Sequence, residues 1–241
     1  MKYLGSKRRM SKHILPIILR DRTEGQFYVE PFCGGCNMID KVKGNRIAND
    51  KNPYLIQMWR HLTKGWDPPR VIEKDFYHAV RDSWKQKQEA FPPELIGWVG
   101  FTGSYRGLFF GGYSGHARSD KTGVRDYIGT AARSILRQVD DLRGVCFLNR
   151  DYKDLVLLSK CIIYCDPPYR GTKEYQDAVD HKDFWDWCRR KVKQGHKVFV
   201  SEYSAPDDFR CIWEMKVRSS LDYRQVKKGA IEKLFVHESQ I

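Results

Sequence analysis

The fold of this 241-residue chain is decided by residues 161–169, which read Cys-Ile-Ile-Tyr-Cys-Asp-Pro-Pro-Tyr. The apolar run at the start of this stretch is typical of a fully buried strand. The strand must end at Asp166, because neither of the two prolines that follow has an N–H group for the hydrogen-bonding ladder. Open α/β sheets bind their ligands at the carboxyl ends of the strands, so we expect a functional site at Asp166.

The segment formed by Asp166, Pro167, Pro168 and Tyr169 suits an amino group on an aromatic ring. The carboxylate of Asp166 can accept one amine hydrogen, and a neighbouring carbonyl without a helical partner can accept the other. The two prolines hold these acceptors rigid, which limits the entropy lost on binding. Tyr169 offers a flat face for a planar base. A solvated aspartate in a proline-rich turn is the alternative, but the apolar strand before all four residues favours a site.

The sequence from Tyr164 to Tyr169 resembles the catalytic motif of the amino-methyltransferases that act on DNA. The resemblance implies transfer of a methyl group from S-adenosylmethionine to adenine N6 or to cytosine N4. With aspartate at position 166, the motif resembles that of the adenine-N6 enzymes. Cytosine-N4 enzymes more often carry serine at this position. With the segments described below, the resemblance is to the Dam-type, or D12, class.

Composition favours a polyanionic partner. The net charge is +13, from 43 basic and 30 acidic residues, and lysine and arginine release counterions from a phosphate backbone. A basic protein without such a partner is the alternative. No apolar run approaches the ~20 residues that span a bilayer, and the amino terminus predicts no signal peptide, so no membrane partner is expected. The seven cysteines indicate reduced thiols in a cytoplasmic protein, and the resemblance implies a bacterial cell or a phage-infected host.

A strand, a glycine-rich turn and a helix are predicted in residues 26–39, with the helix opening at Asn37. This is the first unit of a nucleotide-binding α/β fold. By resemblance, Glu30, Phe32 and Gly34 belong to the cofactor motif of the class and bind S-adenosylmethionine. Cys36 stands where the class usually has a second glycine, which leaves the path of the loop open. The spacing of Cys33 and Cys36 alone does not predict a metal site, and no metal is expected.

Asp50 ends a second predicted strand. In a Rossmann-like unit, an acid at this place accepts hydrogen bonds from ribose hydroxyls. Capping of the helix that follows is the alternative, and the two roles are compatible.

The amino-terminal segment resembles a second motif of the Dam-type enzymes, an aromatic residue followed by glycine and lysine. The resemblance implies that Tyr3 and Lys7 contact the cofactor, and Lys7 is also suited to neutralise a carboxylate or to support the loop after Asp166. An ordinary basic terminus is the alternative. Lys2 matches a Dam-type lysine that reaches a base.

A target-recognition insert is predicted at residues 65–127, between the two parts of a catalytic domain at 1–64 and 128–241. Its start is marked by the breaker sequence Gly-Trp-Asp-Pro-Pro at residues 65–69. The insert is rich in glycine and aromatic residues with interleaved arginines, which suits a surface that enters DNA. A loop packed on the core fits this composition about equally well. The resemblance decides for recognition, because it implies that the target-recognition region lies between the cofactor strands and Asp166.

The segment from Gly103 to Phe109 resembles the Dam-type hairpin. The DNA contacts predicted in the insert come from Tyr105, Arg106, Leu108, Phe110 and Arg118. Phe110 stands where the Dam-type pattern has a base-reading arginine, and phenylalanine cannot donate a bidentate hydrogen bond. We therefore expect a short adenine-containing recognition site that is not simply GATC.

Together these patterns predict an α/β fold with a seven-stranded, mostly parallel, Rossmann-like methyltransferase sheet, an inserted recognition subdomain and a late antiparallel strand pair. The substrate is expected to be double-stranded DNA with a flipped target adenine, because N6 is paired inside the duplex. The protein is expected to act as a monomer or weak dimer. The rivals are cytosine-N4 methylation, an RNA or protein amide substrate, and a catalytically inactive DNA-binding module; Asp166 argues against the first and the last.

Overall fold

A seven-stranded sheet forms the centre of the structure. The structure is a computed structural model, and it describes residues 1–119, 123–157, 160–169, 179–217 and 230–241, except the side chains of 117–119, 124, 217 and 230. The strands are β1 (Tyr28–Glu30), β2 (Arg46–Asn49), β3 (His116–Ser119), β4 (Gly123–Asp126), β5 (Cys146–Leu148), β6 (Ile162–Cys165), β7 (Lys197–Glu202), β8 (Phe209–Val217) and β9 (Ala230–His237). The helices are α1 (Ser11–Ile18), α2 (Pro53–Thr63), α3 (Lys74–Lys85), α4 (Pro93–Thr102), α5 (Tyr127–Leu136), α6 (Val139–Leu142) and α7 (His181–Lys193).

The strand order of the sheet is β5-β2-β1-β6-β7-β9-β8, and β3 pairs with β4 as a separate two-stranded unit. Five neighbouring strands of the sheet, β5, β2, β1, β6 and β7, run parallel to one another. Strand β9 lies between β7 and β8 and is antiparallel to both. The predicted seven-stranded, mostly parallel sheet, with its late antiparallel pair, is therefore confirmed. The chain winds outward from β1 to β5 and then returns to β6 beside β1. This reversal is a topological switch point, where such sheets bind ligands.

Strand β6 is buried on both faces, as its apolar sequence predicted. Ile162 and Tyr164 pack into one hydrophobic cluster, and Ile163 and Cys165 pack into the cluster on the other side of the sheet. This alternation follows from the two-residue period of a strand. The strand ends as predicted, and Asp166 lies beside the carboxyl end of β1 at the switch point.

One prediction about the first unit was wrong. The turn after β1 does not open an α-helix at Asn37; a single 3-10 turn forms at Ile39–Lys41 instead. The reason is length, because β2 already begins at Arg46 and residues 36–45 must also turn the chain back to the sheet. Helix α2 then covers the sheet, and Asn52 caps it by accepting a hydrogen bond from the Leu55 N–H group at 3.0 Å.

The helical part of the predicted insert shares its core with the sheet. Trp59 of α2, Tyr77 of α3, Trp98 of α4 and Tyr164 of β6 are all buried in one hydrophobic cluster. The domain boundaries predicted at residues 65 and 127 stay a prediction. Within the described part of the chain, no helix is long and apolar enough to cross a membrane.

The close approach of α4 to α2 depends on Gly97. A Cβ atom at this position would overlap the carbonyl oxygen of Tyr54 and lie 3.0 Å from Cβ of Met58. We expect Gly97→Ala to lower the free energy of unfolding by about 1–3 kcal/mol, because a backbone oxygen cannot move aside as a side chain does. Chemical denaturation measures the change. Lys85→Ala, at an exposed position of α3, is the control, and equal stability of the two variants would contradict this packing.

Candidate active site

Lys7 and Asp166 meet at the carboxyl end of β6, although they are far apart in the sequence. Lys7 begins a short 3-10 helix, Lys7–Arg9, which is capped by Ser6. Its side chain is only 4% exposed, and its Nζ atom lies 2.9 Å from Oδ1 of Asp166. The same ammonium donates a hydrogen bond to the carbonyl oxygen of Gly5 at 3.2 Å. The amino-terminal segment thus supplies the counter-charge for the aspartate of the motif.

A second carboxylate, that of Glu232 on β9, completes this charge cluster. Its Oε2 atom lies 3.7 Å from Nζ of Lys7 and accepts a hydrogen bond from the hydroxyl of Tyr169 at 2.8 Å. Nζ of Lys7 also lies 4.4 Å from the centroid of the Tyr169 ring. The buried ammonium therefore contacts the carboxylate, the aromatic ring and the second acid at once. Of the other two motif residues, Pro167 is buried and Pro168 is half-buried.

The charges in the cluster shift its pKa values in identifiable directions. Burial raises the pKa of Asp166, and Lys7 only partly offsets that effect. Burial opposes the charge on Lys7, but Asp166 and Glu232 outweigh it and raise the pKa of Lys7. Burial also raises the pKa of Tyr169, so its hydroxyl stays neutral and donates. The result is a carboxylate of enhanced basicity, which makes it a strong hydrogen-bond acceptor.

An aromatic pair lies beside this carboxylate. The rings of Tyr169 and Tyr203 meet edge to face, with their centroids 4.6 Å apart and their planes at 81°. Tyr203 follows β7 and is 42% exposed, whereas Tyr169 is buried. The pair forms an apolar wall with access to solvent on one side.

The glycine-rich loop after β1 lies between a carboxylate and an aromatic ring. The Gly34 N–H group donates to Oδ2 of Asp50 at 3.0 Å, and Oδ1 of Asp50 accepts from the Asn52 N–H group at 3.0 Å. A Cβ atom at Gly34 would lie 2.6 Å from Cε1 of Tyr3, so the ring packs directly on the loop backbone. Asp50, Gly34 and Tyr3 are thus brought together.

Cys36 shows how the loop keeps its path without the second glycine. It has a φ of 53°, in the left-handed region that glycine adopts most readily. Its side chain is buried, and its thiol lies 3.9 Å from the carbonyl oxygen of Gly34. Burial raises the pKa values of Cys33 and Cys36, which keeps both thiols protonated.

Glu30 is the last residue of β1, and Phe32 lies at the start of the glycine-rich loop that follows. Glu30 is only 3% exposed, and its Oε1 atom accepts a hydrogen bond from the hydroxyl of Tyr28 at 2.9 Å. The ring of Phe32 packs on Tyr152 and Phe184, with centroid distances of 5.1 and 5.8 Å. Glu30 therefore ends β1 near Asp166, while the Phe32 side chain is used in packing against α7.

The predicted DNA-binding residues divide into two groups. Tyr105 and Arg106 lie in an exposed 3-10 turn, where Tyr105 is 57% exposed and Cζ of Arg106 lies 5.3 Å from its ring centroid. A Cβ atom at Gly107 would overlap the carbonyl oxygen of Lys2, so the amino-terminal arm lies against this turn. Nζ of Lys2 lies 5.7 Å from the ring centroid of Tyr127.

In the second group, Leu108 and Phe110 pack against other parts of the protein. Leu108 and Phe110 are half-buried, and the Phe110 ring stacks on Trp84 at 5.1 Å and meets Tyr77 at 5.5 Å. Arg118 belongs to β3, but its side chain lies outside the described part of the structure. DNA contacts from these three residues stay predictions.

Sequence reasoning missed Glu232. A signal existed, because Glu232, Leu234 and Val236 alternate along β9, and the latter two pack in the core. An acid in phase with such a buried apolar face requires partners. Among the described residues, no group of three or more metal-binding side chains lies close enough together to hold an ion.

Residues 3–94 match a family model, that of the D12 class N6 adenine-specific DNA methyltransferases. The resemblance predicted from the sequence is confirmed over this part of the chain. N6 adenine-specific methylation, with DNA as substrate, is the enzymatic activity that the match supports.

Solved structures similar to the chain are also described as methyltransferases. One is a presumed methyltransferase, yhhF, from Escherichia coli, at 7% identity and a TM-score of 0.36, covering 95% of this chain and 85% of that one. Another is a presumed class I S-adenosylmethionine-dependent methyltransferase from Listeria monocytogenes, at 10% identity and a TM-score of 0.41, covering 98% of this chain. A third, complexed with SAH, has 12% identity and a TM-score of 0.39, with 98% coverage of this chain. The chain spans 60% and 54% of the length of the latter two.

The burial of Glu30 predicts a pH-dependent effect on stability. Burial raises the pKa of Glu30 well above its ordinary 4.5. Its contribution to stability is therefore fully present below that ordinary value and is lost as the pH rises through the higher folded-state pKa. Glutamine does not ionise, so Glu30→Gln should gain stability over the wild type as the pH rises above 4.5 toward neutrality, by at most about 1.4 kcal/mol per pH unit.

Thermal unfolding of both proteins across this pH range measures the effect. Glu24→Gln, at an exposed position, is the control for the loss of a carboxylate. A stability difference between Glu30→Gln and the wild type that does not change with pH would contradict the assigned pKa shift.

Proposed function

We propose that this protein is a site-specific DNA methyltransferase that transfers a methyl group from S-adenosylmethionine to adenine N6 in double-stranded DNA. The observation that carries this proposal is the buried contact of Lys7 with both Asp166 and Tyr169. Lys7 lies within the segment that matches the family model, and it joins that segment to the motif residues that lie beyond it.

The loop and its surroundings fit a cationic nucleoside ligand. Gly34 is buried between the Asp50 carboxylate, which accepts from its N–H group, and the Tyr3 ring. Glu30 and Asp166 bring further carboxyl groups to the same edge of the sheet, although the chain as a whole carries a charge of +13. A local acidic edge in a basic protein suits a ligand with ammonium and sulfonium groups. When bound, S-adenosylmethionine supplies the methyl group.

Each of the residues around this loop has a separate role in binding that ligand. Asp50 holds the loop at the Gly34 N–H group, and its proposed role is to accept hydrogen bonds from ribose hydroxyls. Tyr3 offers its ring, and Lys7 acts on the carboxylate of Asp166 rather than on the ligand alone. Phe32 contributes through packing that fixes the end of β1.

Asp166 prepares the amine for reaction. Its carboxylate accepts a hydrogen bond from adenine N6, and its raised pKa suits it to take the proton that N6 loses. Lys7 holds the carboxylate in place, and the proline pair limits motion of the neighbouring carbonyl. Tyr169 supplies the stacking face, and the Tyr203 ring packs against it edge to face. The target adenine has to leave the helix before it reaches these groups.

The amino-terminal arm and the exposed turn are the proposed DNA-contacting elements. Lys2, Tyr105 and Arg106 lie together at this surface, and their charges and ring suit phosphate contact, base contact and stacking. We include Leu108, Phe110 and Arg118 in the same region from the hairpin resemblance. The protein is proposed to act as a monomer or weak dimer in the cytoplasm of a bacterial cell or a phage-infected host.

Replacing the motif aspartate tests catalysis directly. Asp166→Ala should abolish methyl transfer, because the reacting amine loses its acceptor, while DNA affinity stays largely intact since phosphate contacts dominate it. The measurement is genome-wide mapping of N6-methyladenine in a host that lacks its own methyltransferases, together with DNA binding in vitro. Methylated cytosine in place of adenine would favour the N4 alternative, and no methylation by the wild type would favour an inactive DNA-binding module.

Cofactor binding is tested separately through Asp50. Calorimetry with S-adenosylmethionine in the presence of EDTA should show binding to the wild type. Asp50→Ala should weaken it by about 1–3 kcal/mol, because the hydrogen bonds that this half-buried carboxylate accepts are lost. Asp67→Ala, which removes an exposed carboxylate, is the matched control. Absence of binding by the wild type, with or without DNA, would contradict the proposed cofactor.

A further inference from the structure

We propose that Glu232 is a positioning residue of the active site, which holds Tyr169 and Lys7 in the arrangement that methyl transfer requires. This inference rests on the proposed function and adds a residue from the last strand of the sheet. Glu232 lies beyond residues 3–94, the part of the chain that matches the family model.

The position of Glu232 is unusual for a carboxylate. Its side chain is buried, with 9% of the residue exposed. In the antiparallel pair of β8 and β9, Glu232 lies opposite Met215. Leu234 and Val236, in phase with it, pack in the hydrophobic core. Burial of a carboxylate is costly unless it is paired and hydrogen-bonded. Its two partners here, Tyr169 and Lys7, both belong to the proposed active site.

Glu232 fixes the position of the far end of the stacking ring. The hydroxyl of Tyr169 donates to Oε2 at 2.8 Å, so displacement of that end would break a buried hydrogen bond. Lys7 lies over one face of this ring, and the Tyr203 ring meets it edge to face. Without Glu232, the far end of the ring loses its anchor.

Glu232 also acts on the charge of Asp166. Both acids share the ammonium of Lys7, at 2.9 Å from Asp166 and 3.7 Å from Glu232. The negative charge of Glu232 contributes to the raised pKa of Asp166. The titratable groups that act on this cluster from the packed elements are Lys7 of the amino-terminal 3-10 helix, Glu30 of β1, Tyr164 of β6, Tyr169 after β6, Tyr203 after β7 and Glu232 of β9.

Two substitutions separate these effects. Glu232→Ala removes both the acceptor and the charge, whereas Glu232→Gln keeps an acceptor oxygen for Tyr169 and removes the charge alone. Glu214→Gln is the matched control, because this acid is exposed on the neighbouring strand β8. Circular dichroism establishes that each variant is folded.

Kinetics with tritiated S-adenosylmethionine and unmethylated plasmid DNA provide the first readout. Glu232→Ala should lower kcat by about 100-fold, as expected for misplaced reacting groups, with KM for S-adenosylmethionine within about twofold of the wild type. Glu232→Gln should lose about tenfold or less, and the acid limb of its kcat profile should move to lower pH, because Asp166 loses a like-charged neighbour. Wild-type kcat and an unmoved acid limb in both variants would overturn the proposal.

A titration of the ligand-free protein provides a readout that does not depend on activity. Carbonyl-labelled protein allows the Asp166 carboxyl group to be followed by NMR, with Asp166→Asn identifying its signal. Its midpoint should fall in Glu232→Gln and stay unchanged in Glu214→Gln. An unchanged midpoint in Glu232→Gln overturns the electrostatic part of the proposal, even if the wild type methylates DNA. Absence of methylation by the wild type would instead contradict the proposed function, whatever the titration shows.

Discussion

The buried ion pair between Lys7 and Asp166 is the interaction on which the site depends. It joins the amino-terminal segment to the carboxyl end of a central strand, at the place where the winding of the sheet reverses. Removing Lys7 would leave the carboxylates of Asp166 and Glu232 without their shared cation, and the loss of one partner of a buried pair costs about 3–5 kcal/mol. Both the chemistry of the carboxylate and the path of the amino-terminal arm therefore depend on this contact.

Much of the fold followed from local sequence features. The apolar run of β6, the two prolines after Asp166 and the glycine turn after β1 each act over a few residues, so they predicted the strand ends and the ligand-binding edge. The prediction of a helix that begins at Asn37 was wrong, because the segment before β2 is too short to hold one. Such a limit depends on where the next strand begins, and no propensity of residues 37–41 reveals it.

The site itself was only partly predictable for a related reason. Asp166, Tyr169 and Gly34 belong to motifs that are contiguous in the sequence. Glu232 acts only because β9 lies antiparallel beside β7 and turns this acid toward Tyr169. That register is a long-range property of the sheet. Phe110 differs from Glu232, because it does belong to a sequence motif. Its position in that motif suggested a DNA contact and did not reveal that its ring stacks on Trp84.

The contact of Gly107 with the Lys2 carbonyl has a thermodynamic consequence. One short arm touches the exposed turn through Lys2, the glycine loop through Tyr3 and the motif carboxylate through Lys7. If a ligand at any of these places shifts the arm, its affinity is coupled to that of a ligand at the others, and the coupling must be reciprocal. The first few residues of the chain would then act as a mechanical link through which occupancy at one place changes affinity at another.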